Sequence, residues 1–190
     1  QLSSGDDGGG HPLSRSAVGF GGAAKLFQAR GDIVIISRGP IRTEGRGLLV
    51  LTPRADMKRK AVDDVVFGGA RLIILPKWDP RPHPLHRGWV ARDGLLSPGV
   101  LGKGLLAEFA PGATVIRRPG PAPRVLWRRW PDGATARQGV TGPIEDLQVL
   151  QSTRLTPVLT DDAGGSLLGR VPDTRTYILA DPDLLDTQVL

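Results

Sequence analysis

The aliphatic residues of this chain are concentrated in short runs that are apolar at every position. In the first half the runs are residues 33–36, 48–51 and 72–75, set off by nearby Gly, Pro or charged residues. Continuous runs of this length are typical of strands covered on both faces, as in a parallel sheet. Further strands are predicted at 155–159, 166–171 and 176–180, with a turn at 161–165 joining the first two of these.

Helical periodicity precedes the first run and separates the second from the third. The first helix is predicted from Ser16, as its N-cap, to Gly31, which is placed to end it. The second begins at Asp56, carries an apolar stripe to Val66 and ends at Gly68. A strand, a helix and a strand in this order predict a βαβ unit with a right-handed crossover, and therefore an α/β fold.

The length of 190 residues suits one domain. Residues 1–15 have almost nothing to bury and are predicted to form a flexible lead-in, which leaves 16–190 as a single α/β domain. Residues 79–148 are rich in Pro and Arg and are interpreted as an elaborated insertion with short strands. The strand before Asp181 is expected to lead into a helix near the end of the chain.

Composition excludes several kinds of chemistry. The chain has no cysteine, so disulfides, thiolate metal sites and cysteine nucleophiles are excluded. It also lacks Gly-x-Ser-x-Gly, Gly-x-Gly-x-x-Gly and the phosphate-binding loop pattern, and no cofactor is predicted. The net charge of +6 favours anionic partners. No apolar run approaches ~20 residues, and the start at Gln1 indicates a fragment that has lost a targeting segment.

Candidate binding residues follow from the predicted sheet, because ligands of open α/β sheets bind beyond the carboxyl ends of the strands. The polar and aromatic residues in those positions are Arg38, Thr52, Lys77, Trp78, Asp181 and Asp183. They could converge on an anion or a metal, or they could be turn and capping residues at strand ends. Asp183 in particular is well placed to cap the final helix. No metal site is predicted, since the prolines around His83 and His86 prevent the helix that would align both imidazoles.

Cations and aromatics are interleaved in the segment 127–130, Trp-Arg-Arg-Trp, with further arginines at 117, 118 and 124. Such a pattern can build a platform for single-stranded nucleic acid. The preferred interpretation is that the tryptophans pack while the arginines are solvated, because aromatic residues are scarce here. A third possibility is that the arginines face an anionic membrane surface nearby.

Three stretches, residues 48–53, 71–78 and 177–185, together resemble a bacterial family, domain-of-unknown-function family 4350, and 13–31 is similar to its opening helix. The resemblance implies an open, mostly parallel sheet flanked by helices, like that of flavodoxin and class I glutamine amidotransferases. It further implies an extracytoplasmic domain between membrane-spanning segments. Active amidotransferases of that class use a cysteine, which is missing here, so glutaminase activity is not carried over.

These observations lead to a working hypothesis. We expect a non-catalytic domain on the periplasmic side of the bacterial inner membrane, anchored by segments outside this sequence, that binds a partner protein, an envelope component or a small anionic ligand. The alternative is a hydrolase that uses Asp181 and Asp183, with or without a metal. The third is single-stranded nucleic-acid binding through 127–130.

Overall fold

The computed structural model describes residues 20–36, 42–55, 66–82, 90–130 and 132–185. Tertiary contacts divide the chain into two units. The smaller unit contains residues 1–39, 77–96 and 182–190, and the larger unit, here called the sheet unit, contains 40–76 and 97–181.

The described helices are short: α1 (Gly21–Ala29), α2 (Pro98–Lys103), α3 (Leu105–Phe109) and a 3₁₀ turn (Pro182–Leu184). The strands are β1 (Arg42–Thr43), β2 (Leu48–Leu51), β3 (Val66–Phe67), β4 (Ala70–Ile74), β5 (Trp78–Pro82), β6 (Val90–Leu95), β7 (Thr114–Arg118), β8 (Val125–Arg129), β9 (Thr135–Val140), β10 (Leu147–Gln151), β11 (Thr156–Thr160), β12 (Ser166–Arg170) and β13 (Thr176–Leu179).

In the smaller unit, α1 ends as its sequence predicts. Gly31 has a φ of 90°, the left-handed conformation that favours glycine. Its N–H donates to the carbonyl of Gln28, and the N–H of Asp32 donates to that of Phe27, a pair of bonds that closes the helix. The same unit contains the antiparallel hairpin of β5 and β6.

The sheet unit is built on a mixed sheet of nine strands. Its main path runs β2, β4, β13, β12, β11, β8, β9, and β10 joins β12 to β7. The pairs β2–β4 and β4–β13 are parallel, whereas the other pairings in this sheet are antiparallel. The predicted strands at 48–51, 72–75 and 176–180 are therefore confirmed, including their parallel direction, and their buried residues Ile73, Ile74 and Ile178 belong to the core.

The sheet divides beside β12. The second half of β12 pairs with β13, for example Leu168 with Leu179, whereas its first residue, Ser166, pairs with Leu150 of β10. Two strands, β10 and β13, therefore pair with different parts of β12 along the same side. Core residues surround this division, because Leu147, Leu150 and Leu167 are all completely or almost completely buried.

The turn between β11 and β12 falls where the sequence predicts it. The buried carboxylate of Asp161 accepts hydrogen bonds from the N–H of Gly165 and from Nε of Arg118, the latter at 2.8 Å. Gly164 has a φ of 79°, which explains the glycine there. A Cβ on Gly165 would lie 2.6 Å from Cγ2 of Val149, so this backbone lies against β10 and has no room for a side chain.

The predicted helix-flanked α/β fold is wrong: the described chain is mostly β, and its sheet grows mainly by antiparallel pairing. The flavodoxin-like and amidotransferase-like architecture implied by the resemblance is therefore also wrong. Much of the difference comes from residues 79–148, which contribute β7, β8, β9 and part of β10 to the sheet. The short apolar pieces between prolines in this segment can form strands, but they are too short for crossover helices.

The strand predicted at 33–36 is also wrong. These residues have no regular structure, and Ile33 and Ile35 are 93% and 85% exposed. A fully apolar run is buried only where a neighbouring strand pairs with it, and the sequence pattern of the run does not show whether such a strand exists. The second predicted helix lies outside the described residues except at its end, where Val66 belongs to β3. Within the described ranges, no helix combines the length and apolar character needed to cross a membrane.

Candidate functional site

Three of the predicted site residues meet in the smaller unit. Lys77 lies directly before β5, and its carbonyl accepts the N–H of Leu96 at 2.9 Å. Asp183 lies in the 3₁₀ turn, with one carboxylate oxygen 2.7 Å from Nζ of Lys77 and the other 2.7 Å from Nε1 of Trp78. The structure thus brings together Lys77, Trp78 and Asp183, three of the six residues that the sequence offers as strand-end candidates.

Charge and burial explain why this arrangement is tolerated. Lys77 is 1% exposed and Asp183 5%, and an isolated charge at such depth would be costly. The carboxylate balances the ammonium, and the indole N–H occupies its second oxygen. Nζ of Lys77 also lies 5.2 Å from the centre of the Trp78 ring, within cation–π distance. An ion pair neutralised in this way has little charge left to attract a ligand.

A second buried network lies in the sheet unit, around Asp181. Its carboxylate accepts the backbone N–H of Gln148 at 2.6 Å. The Gln148 amide donates in turn to the carbonyl of Ala180 at 2.6 Å and accepts from Nη2 of Arg117 at 3.1 Å. Gln148 therefore joins β10 to the residues after β13, at the division of the sheet. Burial lowers the pKa of Arg117, while the charges of Asp146 and Asp181 act to raise it.

Sequence reasoning missed Gln148, and it placed Arg117 only in the basic segment and not beside Gln148. The one available signal was a glutamine inside the apolar run of residues 147–150. The two residues are direct cross-strand partners in the pairing of β7 with β10, which the sequence did not predict. A polar residue in a buried strand needs a partner, but the pattern along one strand does not identify it.

The remaining predicted site residues contribute less. Thr52 follows β2 and is half-buried, whereas Asp181 follows β13 and is completely buried. Both follow strands that pair in parallel with β4, so they leave the sheet at the same edge. Arg38, His83 and His86 lie outside the described residues. Within the described ranges, no group of three or more His, Asp or Glu side chains could hold a metal ion.

Exposed cations and an exposed aromatic residue occur together in the hairpin of β8 and β9, residues 124–141, here called the arginine hairpin. At its base, the N–H of Thr141 donates a hydrogen bond to the carbonyl of Arg124. At its tip, the N–H of Trp130 donates to the carbonyl of Ala134. Gly133, in the turn, has a φ of 86°. The hairpin joins the sheet through Arg128 and Trp127, which pair with Leu159 and Thr160 of β11.

The second strand of the arginine hairpin is hardly covered on either face. Every residue of β9 is exposed except Gly139, which is half-buried. Strands of a two-layered protein normally bury every second side chain, so β9 contributes little to the core. Trp130, at the end of β8, is 38% exposed, whereas Trp127 is half-buried.

The arginine hairpin is strongly basic, with four arginines and one aspartate between residues 124 and 141. The guanidinium of Arg128 lies 4.9 Å from the centre of the Trp130 ring. Arg128, Arg129 and Arg137 are exposed, and none of the salt bridges found among the described residues involves them. Of the arginines in the predicted basic segment, Arg128 and Arg129 are therefore solvated as expected, whereas Arg117 and Arg118 are half-buried and bonded to other side chains. Only one of the two tryptophans packs.

Side-chain alternation places the cations on both faces of the arginine hairpin. Trp127 pairs with Arg137, and Arg129 pairs with Thr135, so these side chains share one face. Arg128 belongs to the other face. Exposed arginines are thus available on each face of the hairpin.

The fold and the hairpin define the class: a mostly β protein built on a mixed nine-stranded sheet, with an exposed basic hairpin at one end of the strand order. No family model matches the chain, and neither a curated protein nor a solved structure matches it. The resemblance to the bacterial family therefore remains a prediction.

Proposed function

We propose that this chain is a non-catalytic binding domain for an acidic segment of a partner protein, and that the arginine hairpin is the binding surface. The observation that carries the proposal is the exposure of β9 on both faces beside arginines that form no salt bridge within the described chain. Such a strand adds little to the core, which leaves recognition as the more economical explanation of its sequence.

Electrostatics favour an acidic partner. A guanidinium offers several N–H donors in a planar arrangement that fits a carboxylate, and Arg128, Arg129 and Arg137 offer theirs to solvent. Opposite charges at the rim of an interface accelerate association and select the partner. A protein segment is preferred to nucleic acid because β9 contains no aromatic residue and Trp127 is half-buried, which leaves Trp130 as the one exposed ring of the hairpin on which a base could stack.

The hydrolase alternative has less support. Both oxygens of Asp183 are occupied by donors from Lys77 and Trp78, and Asp181 is completely buried against the backbone of Gln148. A general base or metal ligand must reach the substrate or the ion. The same burial weakens the expectation that a ligand binds at the strand ends.

Location stays a proposal that depends on the family resemblance. We expect this domain on the periplasmic side of the inner membrane, near an anionic lipid surface that would also attract the basic hairpin. A reporter fusion to the natural gene would test it, and a reporter active only in the cytoplasm would contradict it.

Binding can be tested with a fluorescent peptide of alternating Glu and Thr, about eight residues long as is usual for a strand. Anisotropy would be measured at low salt with the parent chain and with the triple variant Arg128→Gln, Arg129→Gln, Arg137→Gln. The matched control replaces three exposed arginines outside the hairpin, Arg46, Arg154 and Arg170, by Gln and so loses the same charge.

We expect the hairpin variant to bind about tenfold more weakly, since three exposed ion pairs at about 0.5 kcal/mol each amount to about 1.5 kcal/mol, and about 1.4 kcal/mol corresponds to a factor of ten. The control should stay within about twofold of the parent. Equal losses in both variants would mean that only net charge matters and would overturn the proposal. The proposal would also be overturned if the peptide does not bind. This holds whether or not the chain binds an oligothymidylate or phosphatidylglycerol vesicles, the probes for a nucleic acid and for a membrane surface.

A further inference from the structure

The outer edge of β9 offers backbone hydrogen-bonding groups. Within the described residues β9 pairs with β8 and with no other strand. In an antiparallel pair, opposed residues alternate between those that bond to each other and those whose N–H and C=O point away. Trp130 bonds to Ala134, so Arg128 with Ala136 is the next bonded pair along the ladder. The backbone groups of Thr135 and Arg137 therefore point to the open edge.

A bulge limits this edge at one end. Leu126 pairs with Gly139 and Trp127 with Arg137, which leaves Gln138 as the extra residue of β9. The regular part of the edge thus extends from Thr135 to Arg137, next to the turn of the arginine hairpin. It is short, as exposed edges usually are in proteins that avoid uncontrolled pairing.

We propose that the acidic segment binds by strand addition, as a further strand hydrogen-bonded to the backbone of Thr135 and Arg137. This inference rests on the proposed function and specifies its mode of recognition. Main-chain bonds would supply affinity, and side chains at alternate positions would supply specificity. The residue opposite Arg137 would direct its side chain to the face that carries Arg137 and Arg129. The partner should therefore have an acidic residue at every second position.

Charge explains why the occupant is not a second copy of this chain. Antiparallel pairing of two β9 strands centred on Arg137 would place this residue, the one charged side chain of β9, opposite Arg137 of the other copy. Like charges opposite each other destabilise a strand pair, and charged side chains are a usual protection of exposed edges. An acidic strand meets no such repulsion, so the residues that block self-association also select the partner.

The test separates backbone bonding from charge. Thr135→Pro removes an N–H at the open edge and leaves every charge in place, while Thr135→Val is the matched control that keeps the N–H. Proline is tolerated on an edge strand when its nitrogen faces solvent. The probe is the alternating Glu and Thr peptide, used unmodified and in two forms, one N-methylated at the Glu nitrogens and the other at the Thr nitrogens.

Strand addition predicts that Thr135→Pro weakens peptide binding by about tenfold, while Thr135→Val stays within about twofold. It also predicts that one methylated peptide binds at least about tenfold more weakly and the other binds like the parent peptide, because alternate N–H groups face β9. If Thr135→Pro does not fold, the two methylated peptides decide the question with the parent chain.

The outcomes distinguish the two proposals. If the unmodified peptide binds and requires the arginines, but both methylated peptides bind equally well, strand addition is overturned and the proposed function stands. If the unmodified peptide does not bind, the proposed function fails and this inference fails with it. Dimerisation of the parent chain would also count against strand addition under two conditions. Arg137→Gln would have to strengthen the dimer, and the peptide would have to leave it intact.

Discussion

Nζ of Lys77 lies 2.7 Å from a carboxylate oxygen of Asp183, although 106 residues separate them in the chain. Both side chains are nearly inaccessible to water, and the indole of Trp78 bonds to the other oxygen of the same carboxylate. The pair therefore ties the beginning of β5 to the 3₁₀ turn at residues 182–184. The contribution of each group to the stability of the protein can be tested by separate substitutions of Lys77 and Trp78.

Replacing Lys77 by Met should destabilise the protein by about 3–5 kcal/mol, because Asp183 would remain buried without its countercharge. Urea unfolding followed by circular dichroism measures the change. The exposed Lys103→Met is the matched control and should stay within about 0.5 kcal/mol of the parent. Adding Asp183→Leu to Lys77→Met should restore part of the loss. A single variant as stable as the parent would show that the pair is not required.

The indole hydrogen bond predicts a smaller effect. Trp78→Phe keeps an aromatic ring beside Lys77 but removes the N–H that bonds to Asp183. Hydrogen bonds to charged groups contribute about 1.5–3 kcal/mol, so we expect a loss of that size in the free energy of unfolding. Trp130→Phe, on the exposed hairpin, serves as the comparison and should change stability little. Equal effects in the two variants would contradict the assignment.

The amide of Gln148 should be necessary at the division of the sheet. Gln148→Leu preserves approximate size but leaves the carbonyl of Ala180 without the amide donor that now bonds to it, and Arg117 without this acceptor. An unsatisfied buried polar group costs about 1–3 kcal/mol, so the variant should lose at least about 2 kcal/mol in urea unfolding. Gln151→Leu, at the exposed end of the same strand, is the control. If Gln148→Leu loses no more stability than the control, the hydrogen bonds of the Gln148 amide are not necessary for the fold.

The sequence predicts those parts of the fold whose signals are local. The runs at 48–51, 72–75 and 176–180 are strands because each is short, largely apolar and bounded. β2 and β13 both pair in parallel with β4, although β2 is not covered along its whole length, since Leu48 is 51% exposed. The run at 33–36 carries the same signal and is exposed. Burial depends on a partner that is distant in sequence, so identical patterns can have opposite outcomes.

The candidate site divides in the same way. The sequence includes Lys77, Trp78 and Asp183 in a group of six strand-end candidates, but it does not separate these three from the others, because only the fold shows which of the six meet. The arginine hairpin could be anticipated only in its first strand, where apolar residues precede the arginines. The second strand, residues 135–140, has neither alternation nor an apolar run, and pairing with β8 alone makes it a strand. Neither its open edge nor its bulge has a signal in the sequence.

The close approach of Gly165 to β10 yields a prediction that combines two sites. Alanine at 165 would place its Cβ 2.6 Å from Cγ2 of Val149 and 2.9 Å from its Cβ, so one strand must shift. Overpacking of this kind costs about 1–3 kcal/mol, and thermal or urea unfolding of Gly165→Ala should show it. Gly142→Ala, where the new methyl group meets nothing within 4 Å, is the matched control. Val149→Ala removes the methyl groups that collide, so the double variant should lose less stability than the two single losses added together. Strict additivity would mean that the contact with Val149 is not the reason for glycine at this position.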